Sequence, residues 1–274
     1  MKEMPQDAVK TDYGFKFSRN GTSFRYYQKE CTNCKTTTFK EFRNLRHKAN
    51  VFCTRACQSI YRHKNIDPKG CKILSHKTDA DYYYLIGLLA TDGHITYPPN
   101  YVHYSCSIQL NVEDKDILEK IYSKFGGRLK IYSNNIKWSL NNIEFIDHLK
   151  TIGFTHNKTY SLNISEWFDA IPDKNKFHFM RGVIDGDGSI IRNSQNGYRL
   201  CLVSASEPFI KMCTDFLEGS YYKDRNTYCM QISKKQKVLD ILYKLYSSDF
   251  CIKRKYNKAI QLLKEGNYEQ SQHI

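Results

Sequence analysis

Residues 84–263 run through one order of elements twice, and a chain that repeats itself on this scale is built from two copies of one supersecondary unit. Each copy reads helix, strand pair, helix, strand pair, helix, with repeats at about 82–165 and 176–263. In the first, Tyr84 to Asp92 is an apolar helix, Tyr101 to Leu110 alternates as a strand, and Asp114 to Phe125 is a helix stopped by Gly126 and Gly127. Strands around Arg128 to Tyr132 and Ile136 to Leu140 lead to a helix over Ile143 to Thr151, ended by Gly153. In the second, a helix over Met180 to Asp187 precedes a strand at Tyr198 to Ser204 and a helix at Pro208 to Glu218, with Ser206 as its cap and Gly219 as its stop. A strand at Tyr228 to Ser233 and a helix at Gln236 to Tyr246 complete it.

Each repeat opens on a short motif, Leu85-Ile86-Gly87-Leu88-Leu89-Ala90-Thr91-Asp92-Gly93 and Met180-Arg181-Gly182-Val183-Ile184-Asp185-Gly186-Asp187-Gly188. Gly87 and Thr91, four residues apart, share a helix face, as do Gly182 and Gly186, so each helix offers a strip of small residues along which two backbones can approach. Gly93 and Gly188 are expected to end the helices in the left-handed conformation. Asp92 and Asp187 then sit at the negative ends of the helix dipoles, where a carboxylate is disfavoured. Two such carboxylates brought side by side form a negative focus suited to a hard divalent cation with oxygen ligands.

These motifs resemble those of the LAGLIDADG homing endonucleases, and the resemblance covers about two thirds of the chain. It implies an α+β fold, a duplicated αββαββα unit with two antiparallel saddle-shaped sheets. It also implies a monomeric, two-motif enzyme that hydrolyses one phosphodiester in each strand of a long asymmetric DNA site. The resemblance makes Asp92 and Asp187 the ligands of Mg²⁺ or Mn²⁺, and places a catalytic-pocket lysine in the basic segment closing each repeat. Those lysines are expected to be Lys158 and Lys255, with Lys253 and Arg254 as competitors or phosphate contacts. The two motifs differ: Ala90 stands where the second copy keeps Asp185, and Arg181 takes a place that is ordinarily small or apolar. A second reading is an intron maturase that binds host intron RNA. A third is a DNA-binding regulator without cleavage, for which a missing aspartate at 92 or 187 is the expected sign; both are present.

Strand alternation separates a core face from a polar one suited to the major groove. His103, Ser105, Ser107 and Gln109 oppose Val102, Tyr104, Cys106, Ile108 and Leu110. Arg128, Lys130 and Tyr132, then Lys137, Ser139 and Asn141, oppose Leu129, Ile131, Ile136, Trp138 and Leu140. The second repeat offers Arg199, then Cys229, Gln231 and Ser233.

Outside the repeats, Cys31, Cys34, Cys53 and Cys57 form a CxxC and a CxxxC pair in a basic setting, the spacing of a closed tetrahedral Zn²⁺ site. The pattern resembles treble-clef-like modules. The expected division is a basic, four-cysteine zinc-finger-like module with linker over 1–75 and the two-repeat domain over 76–274. Residues 1–80 hold 17 basic and 7 acidic side chains, so +10 of the net charge of +14 lies there, and a polyanion is the expected partner. Lys35, Lys40, Arg43, Arg46, Lys48, Arg55 and Arg62 fit the module for a DNA clamp, with a protein partner as the competing use. Ten cysteines and a first stretch, Met1 to Lys10, without a signal-peptide core point to an intracellular reducing compartment, and the longest apolar run, Tyr82 to Ala90, is too short to span a bilayer.

Overall fold

The computed structural model describes residues 8–11, 14–19, 22–41, 50–58, 61, 73–96, 104–155, 158–192 and 197–268. The chain divides into two compact units, Met1–Pro68 with Pro98–His103, and Lys69–Tyr97 with Tyr104–Ile274.

The first unit contains a four-stranded antiparallel sheet, β1 (Val9–Thr11), β2 (Gly14–Arg19), β3 (Thr22–Glu30) and β4 (Thr37–Glu41), in that order. Its register pairs Phe15 with Tyr26, Lys16 with Arg25, and Phe17 with Phe24. Period-two alternation therefore gathers aromatic rings on one face, where Phe15 and Phe39 meet edge to face at 5.4 Å, and cations on the other.

The second unit contains the duplication. The first copy comprises α1 (Ala80–Thr91), β5 (Gly93–Thr96), β6 (Ser105–Asn111), α2 (Lys115–Phe125), β7 (Arg128–Ile131), β8 (Asn135–Leu140) and α3 (Ile143–Thr151). Two short helices, α4 (Lys158–Ser161) and α5 (Ser165–Ala170), lead to the second copy. That copy is α6 (Asp173–Gly186), β9 (Ser189–Arg192), β10 (Tyr198–Ser204), α7 (Glu207–Leu217), β11 (Ser220–Asp224), β12 (Thr227–Ile232) and α8 (Lys235–Leu245), followed by α9 (Lys253–Glu265). The sheets have equivalent orders, β5-β6-β8-β7 and β9-β10-β12-β11, with every neighbour antiparallel. The α+β class and the duplicated unit expected from the sequence are the architecture observed.

The two motif helices form the centre. α1 is apolar on all sides, and every residue from Tyr82 to Ala90 is buried, as an all-round apolar helix requires. It packs against α6 so closely that a Cβ on Gly87 would lie 2.0 Å from the Phe179 carbonyl oxygen, and one on Gly182 2.1 Å from that of Tyr84. On the first sheet, Ile108, Ile136 and Trp138 are buried beneath Ile117, Leu118 and Ile121 of α2 and Phe145 and Leu149 of α3. Leu200, Leu202 and Met230 of the second sheet are matched by Phe209, Ile210, Leu239 and Leu242.

The tails of the repeats cross over. α5, which follows the first copy, leans on α7 of the second, where Phe168 contacts Phe216 at 5.2 Å. In the opposite direction, Lys120 of α2 donates to Asp249, and Arg254 of α9 donates to both oxygens of buried Asp114 at 3.0 Å.

Several local expectations are corrected. Ser206 precedes α7 but does not cap it with its side chain; its hydroxyl donates instead to the Leu162 carbonyl at 2.6 Å. The left-handed residue ending α7 is Glu218 (φ 49°), one before Gly219. Ile131, the last residue of the edge strand β7, is 60% exposed rather than part of the core. The described strand begins at Ser105, and residues 97–103, including His103 and Val102, lie outside the described part.

Candidate active site

Both motif aspartates lie where their helices stop. Asp92 follows α1 and Asp187 follows α6 with near-helical backbones (φ −77° and −97°), and their amides still close onto Leu88 and Val183 at 3.0 and 3.1 Å. Gly93 and Gly188 are not among the glycines with positive φ, which corrects the expected left-handed stop. Glycine is required there for space: the chain turns into a strand so tightly that a Cβ would lie 2.2 Å from the Leu89 oxygen at Gly93, and 2.7 Å from the Ile184 oxygen at Gly188. A Cβ on Gly186 would lie 2.0 Å from the Thr91 hydroxyl and 3.0 Å from Asp92 Oδ2. The first motif's carboxylate thus rests beside the residue that precedes the second motif's.

A lysine closes each helix end. Lys158, the first residue of α4, donates to the carbonyls of Ala90 and Thr91 at 2.9 and 2.6 Å. Lys255, in the first turn of α9, donates to Ile184, Gly186 and Gly188 at 2.7, 3.4 and 2.5 Å. The Ile184 carbonyl also accepts from the Gly188 amide at 3.1 Å, and an ammonium at either helix end adds a donor to the terminal carbonyls and meets the dipole favourably. The result is a pair of pseudo-equivalent half-sites, Asp92 with Lys158 and Asp187 with Lys255.

Burial dominates the electrostatics. It raises Asp92 to about 6, helped by the neighbouring charge of Asp187 and opposed by Lys158 and Lys255. Asp187 keeps part of its surface open to solvent, yet the crowding of protein around its carboxyl also raises it, against both lysines. Burial lowers Lys158 to about 8 and lowers Lys255 as well, while the aspartates pull the other way. Both carboxylates are raised despite the two lysines beside them, and a pair of part-buried carboxylates is an oxygen donor set of the kind a hard divalent cation takes.

Around Asp187 lies an open concavity of about 560 Å³ lined by Ser189, Ile191, Arg254, Lys255 and Lys258 among others. Lys258 was not singled out from sequence, although it stands one helical turn beyond Lys255. Lys253 is exposed on α9. Arg254, read as a phosphate contact, has its guanidinium drawn onto Asp114 and joins the two copies instead.

On the first sheet, Gln109, Lys137 and Lys130 lie side by side across three strands, and Ser107, Ser139 and Arg128 form the next row. Gln109, Arg128, Lys130 and Asn141 are exposed; Ser105, Lys137 and Ser139 are half-buried. Like charges directly opposite one another, as at Lys130 and Lys137, destabilise a sheet unless an anion lies across them. Ser107 is only 7% exposed, since this short side chain sits on an inner strand between His94 and Ser139, so it is not an open reading position. On the second sheet Arg199 and Ser233 are exposed, and half-buried Gln231 donates to Ser233 at 2.8 Å. Cys229, read as open, is buried between its cross-strand partners Val203 and Tyr222.

In the first unit, the four sulfurs of Cys31, Cys34, Cys53 and Cys57 lie within 4.8 Å of one another. Tetrahedral Zn–S bonds of about 2.3 Å require sulfurs roughly 3.8 Å apart, so this cluster is of the right size. Burial works against ionisation of Cys31, but backbone N–H groups of Cys34, Cys53 and Asn33 hold its thiol down at about 6. Burial and the adjacent thiols push Cys53 up. A quartet so divided gains from a central cation. Lys40 donates to the Cys53 carbonyl at 3.5 Å, Lys35 pairs with Glu30 at 3.6 Å and Arg55 is exposed; Arg43, Arg46, Lys48 and Arg62 lie outside the described residues. The nine described cysteines are free thiols, and among the described residues no helix is long and apolar enough to cross a membrane.

No known family profile matches the sequence, and no curated protein does. Among solved structures, the chain is similar to I-GzeII in complex with its DNA target, at 16% identity over 68% of this chain and 89% of that one, with a TM-score of 0.48. It is similar to I-AabMI bound to uncleaved DNA at 17% identity over 68% and 90%, TM-score 0.49. It is also similar to I-SmaMI bound to uncleaved DNA with calcium ions, at 13% identity over 68% and 90%, TM-score 0.48. Over about two thirds of its length, then, the chain is similar to LAGLIDADG homing endonucleases.

Proposed function

We propose that this chain is a site-specific double-stranded DNA endonuclease of the LAGLIDADG homing type, with one composite active site formed between its two repeats. The observation that carries this reading is the paired arrangement of Asp92 with Lys158 and Asp187 with Lys255 at the ends of two helices in close contact. Neither pair has a structural need for its carboxylate: the helix ends are closed by the lysines, and the aspartates raise the local cost.

Asp92 and Asp187 would hold a divalent metal, Mg²⁺ or Mn²⁺, which when bound supplies Lewis-acid stabilisation of a scissile phosphate and an acidified water. Lys158 and Lys255 contribute fixed positive charge where negative charge develops on the phosphate, and their burial strengthens that effect. Lys158, lowered to about 8, is also within reach of exchanging a proton near neutral pH. Arg128, Lys130, Lys137 and Gln109 on the first sheet, and Arg199, Gln231 and Ser233 on the second, would bind the flanking duplex through phosphate and base-edge contacts. The four cysteines would hold a structural Zn²⁺, leaving the basic face around Lys16 and Arg25 for the phosphate backbone.

The test is selection of cleaved molecules from a library of randomised duplexes incubated with the protein and Mg²⁺. A recurrent, long, asymmetric site cut on both strands with short 3′ overhangs is expected, with activity abolished by EDTA and by Asp92→Asn or Asp187→Asn. Cleavage that survives in the double variant would overturn the assignment.

A further inference from the structure

The half-sites share a lysine and an aspartate but not the frame that holds the lysine. Asp185, fully buried on α6, accepts hydrogen bonds from the Ile252 amide at 2.6 Å, the Tyr84 hydroxyl at 2.7 Å and the Tyr246 hydroxyl at 2.8 Å. Ile252 is the residue that opens α9, and the amide of Lys255 closes onto its carbonyl at 3.1 Å. One carboxylate therefore ties together α1, α6, the end of α8 and the first turn of the helix that carries Lys255. Arg181, one turn earlier on α6, adds to this frame by donating to the carbonyls of Leu245 and Phe250 at 2.9 and 3.2 Å, its guanidinium 5.5 Å from the Tyr84 ring.

At the equivalent place in the first motif stands Ala90, a methyl group with nothing to offer a backbone amide. Lys158 is carried by α4, a single turn of four residues closed by a hydroxyl pair between Thr155 and Ser161 at 2.7 Å, which is exposed to competing water. A catalytic group whose backbone is anchored through a buried, fully occupied carboxylate is pre-organised for reaction, whereas Lys158 is placed by its two carbonyl contacts from a helix of one turn.

We infer that Asp185 is the positioning residue of the second half-site alone, so that the two DNA strands are cut in a fixed order, the strand served by Lys255 before the strand served by Lys158. This rests on the nuclease reading above for its consequence, though not for the geometry. Asp185 does not touch substrate; it acts through the backbone at Ile252.

The experiment uses the full chain and a duplex target with a different fluorophore on each strand, under single-turnover conditions with Mg²⁺. Lys255→Ala and Lys158→Ala identify which strand depends on which lysine. Asp185→Asn is expected to slow the Lys255-dependent strand at least tenfold and to leave the other within twofold, reversing the order of nicking. Tyr246→Phe, a milder change that keeps the carboxylate, should act in the same direction and carries the test if Asp185→Asn folds poorly. Equal slowing of both strands, or slowing of the Lys158-dependent strand, would overturn the inference. Amide hydrogen exchange on metal-free protein provides a readout independent of cleavage: Asp185→Asn should lose protection at residues 252–258 and keep it at 158–162. Unchanged protection at 252–258 overturns the inference even if no duplex is cut, whereas failure to cut with the expected exchange pattern overturns only the nuclease reading.

Discussion

At the residue scale, the two motif aspartates have raised pKa values that oppose stability, and the proposed function gives them their use. Asp92 is raised from 3.8 to about 6 by burial and by Asp187, so between roughly pH 4 and pH 6 the folded state holds more protons than the unfolded one. Stability should therefore fall as pH rises through this window and stay reduced above it, by up to ~3 kcal/mol before solvent screening of this part-exposed carboxyl is discounted. In EDTA, Asp92→Asn is expected to be about 1–2 kcal/mol more stable than wild type at pH 7.5 and to lose most of this advantage at pH 4.5; thermal melts at the two values check it. A variant less stable than wild type at pH 7.5 would show that Asp92 has a structural partner. The aspartates were legible because the motif occurs twice in register. Asp185 was not, because its partners Tyr84, Tyr246 and Ile252 lie 101, 61 and 67 residues away, and no local spacing announces them.

At the scale of elements, α3 spans Ile143–Thr151 as expected, but α6 begins at Asp173, seven residues before the expected Met180, and α9, Lys253–Glu265, was read only as a basic segment because its lysines and arginine mask its apolar positions. Strands β5, β9 and β11, with four or five residues each, carry too little alternation to stand out. The sheet of the first unit went unread because the cysteines dominate that segment and its aromatic residues resemble a core of any type. Gly93 and Gly188 were placed correctly at helix ends for the wrong reason, since close approach and positive φ select the same residue. The helix pair gives a sharp prediction from the same distinction. Gly182→Ala sets a Cβ against the Tyr84 backbone oxygen and should destabilise by about 3 kcal/mol or more, with no single side-chain change able to relieve it. In Gly186→Ala the nearest obstacle is the Thr91 side chain, so adding Thr91→Gly should recover part of the loss. Denaturant melts of the single and double variants test this; additive losses would contradict the contact.

For the whole molecule, the division into two units implies two separable stabilities. If the cysteine cluster holds zinc, the purified chain should carry one zinc ion, and Cys57→Ser should lower a melting transition of the first unit while leaving that of the larger unit in place. Elemental analysis with calorimetry checks both, and a single transition shifted as one by Cys57→Ser would count against it. Residues 1–68 hold 14 basic and 6 acidic side chains, so +8 of the net charge of +14 lies on the small unit, a disproportionate share of any attraction to a polyanion. The proposed active site is a composite one that straddles the two repeats. It is tested most directly by diffraction from crystals of the chain grown with duplex target and Mn²⁺, using the anomalous signal of manganese. The composite site requires a peak in contact with the carboxylates of both Asp92 and Asp187; manganese bound elsewhere, with neither carboxylate as a ligand, would contradict it.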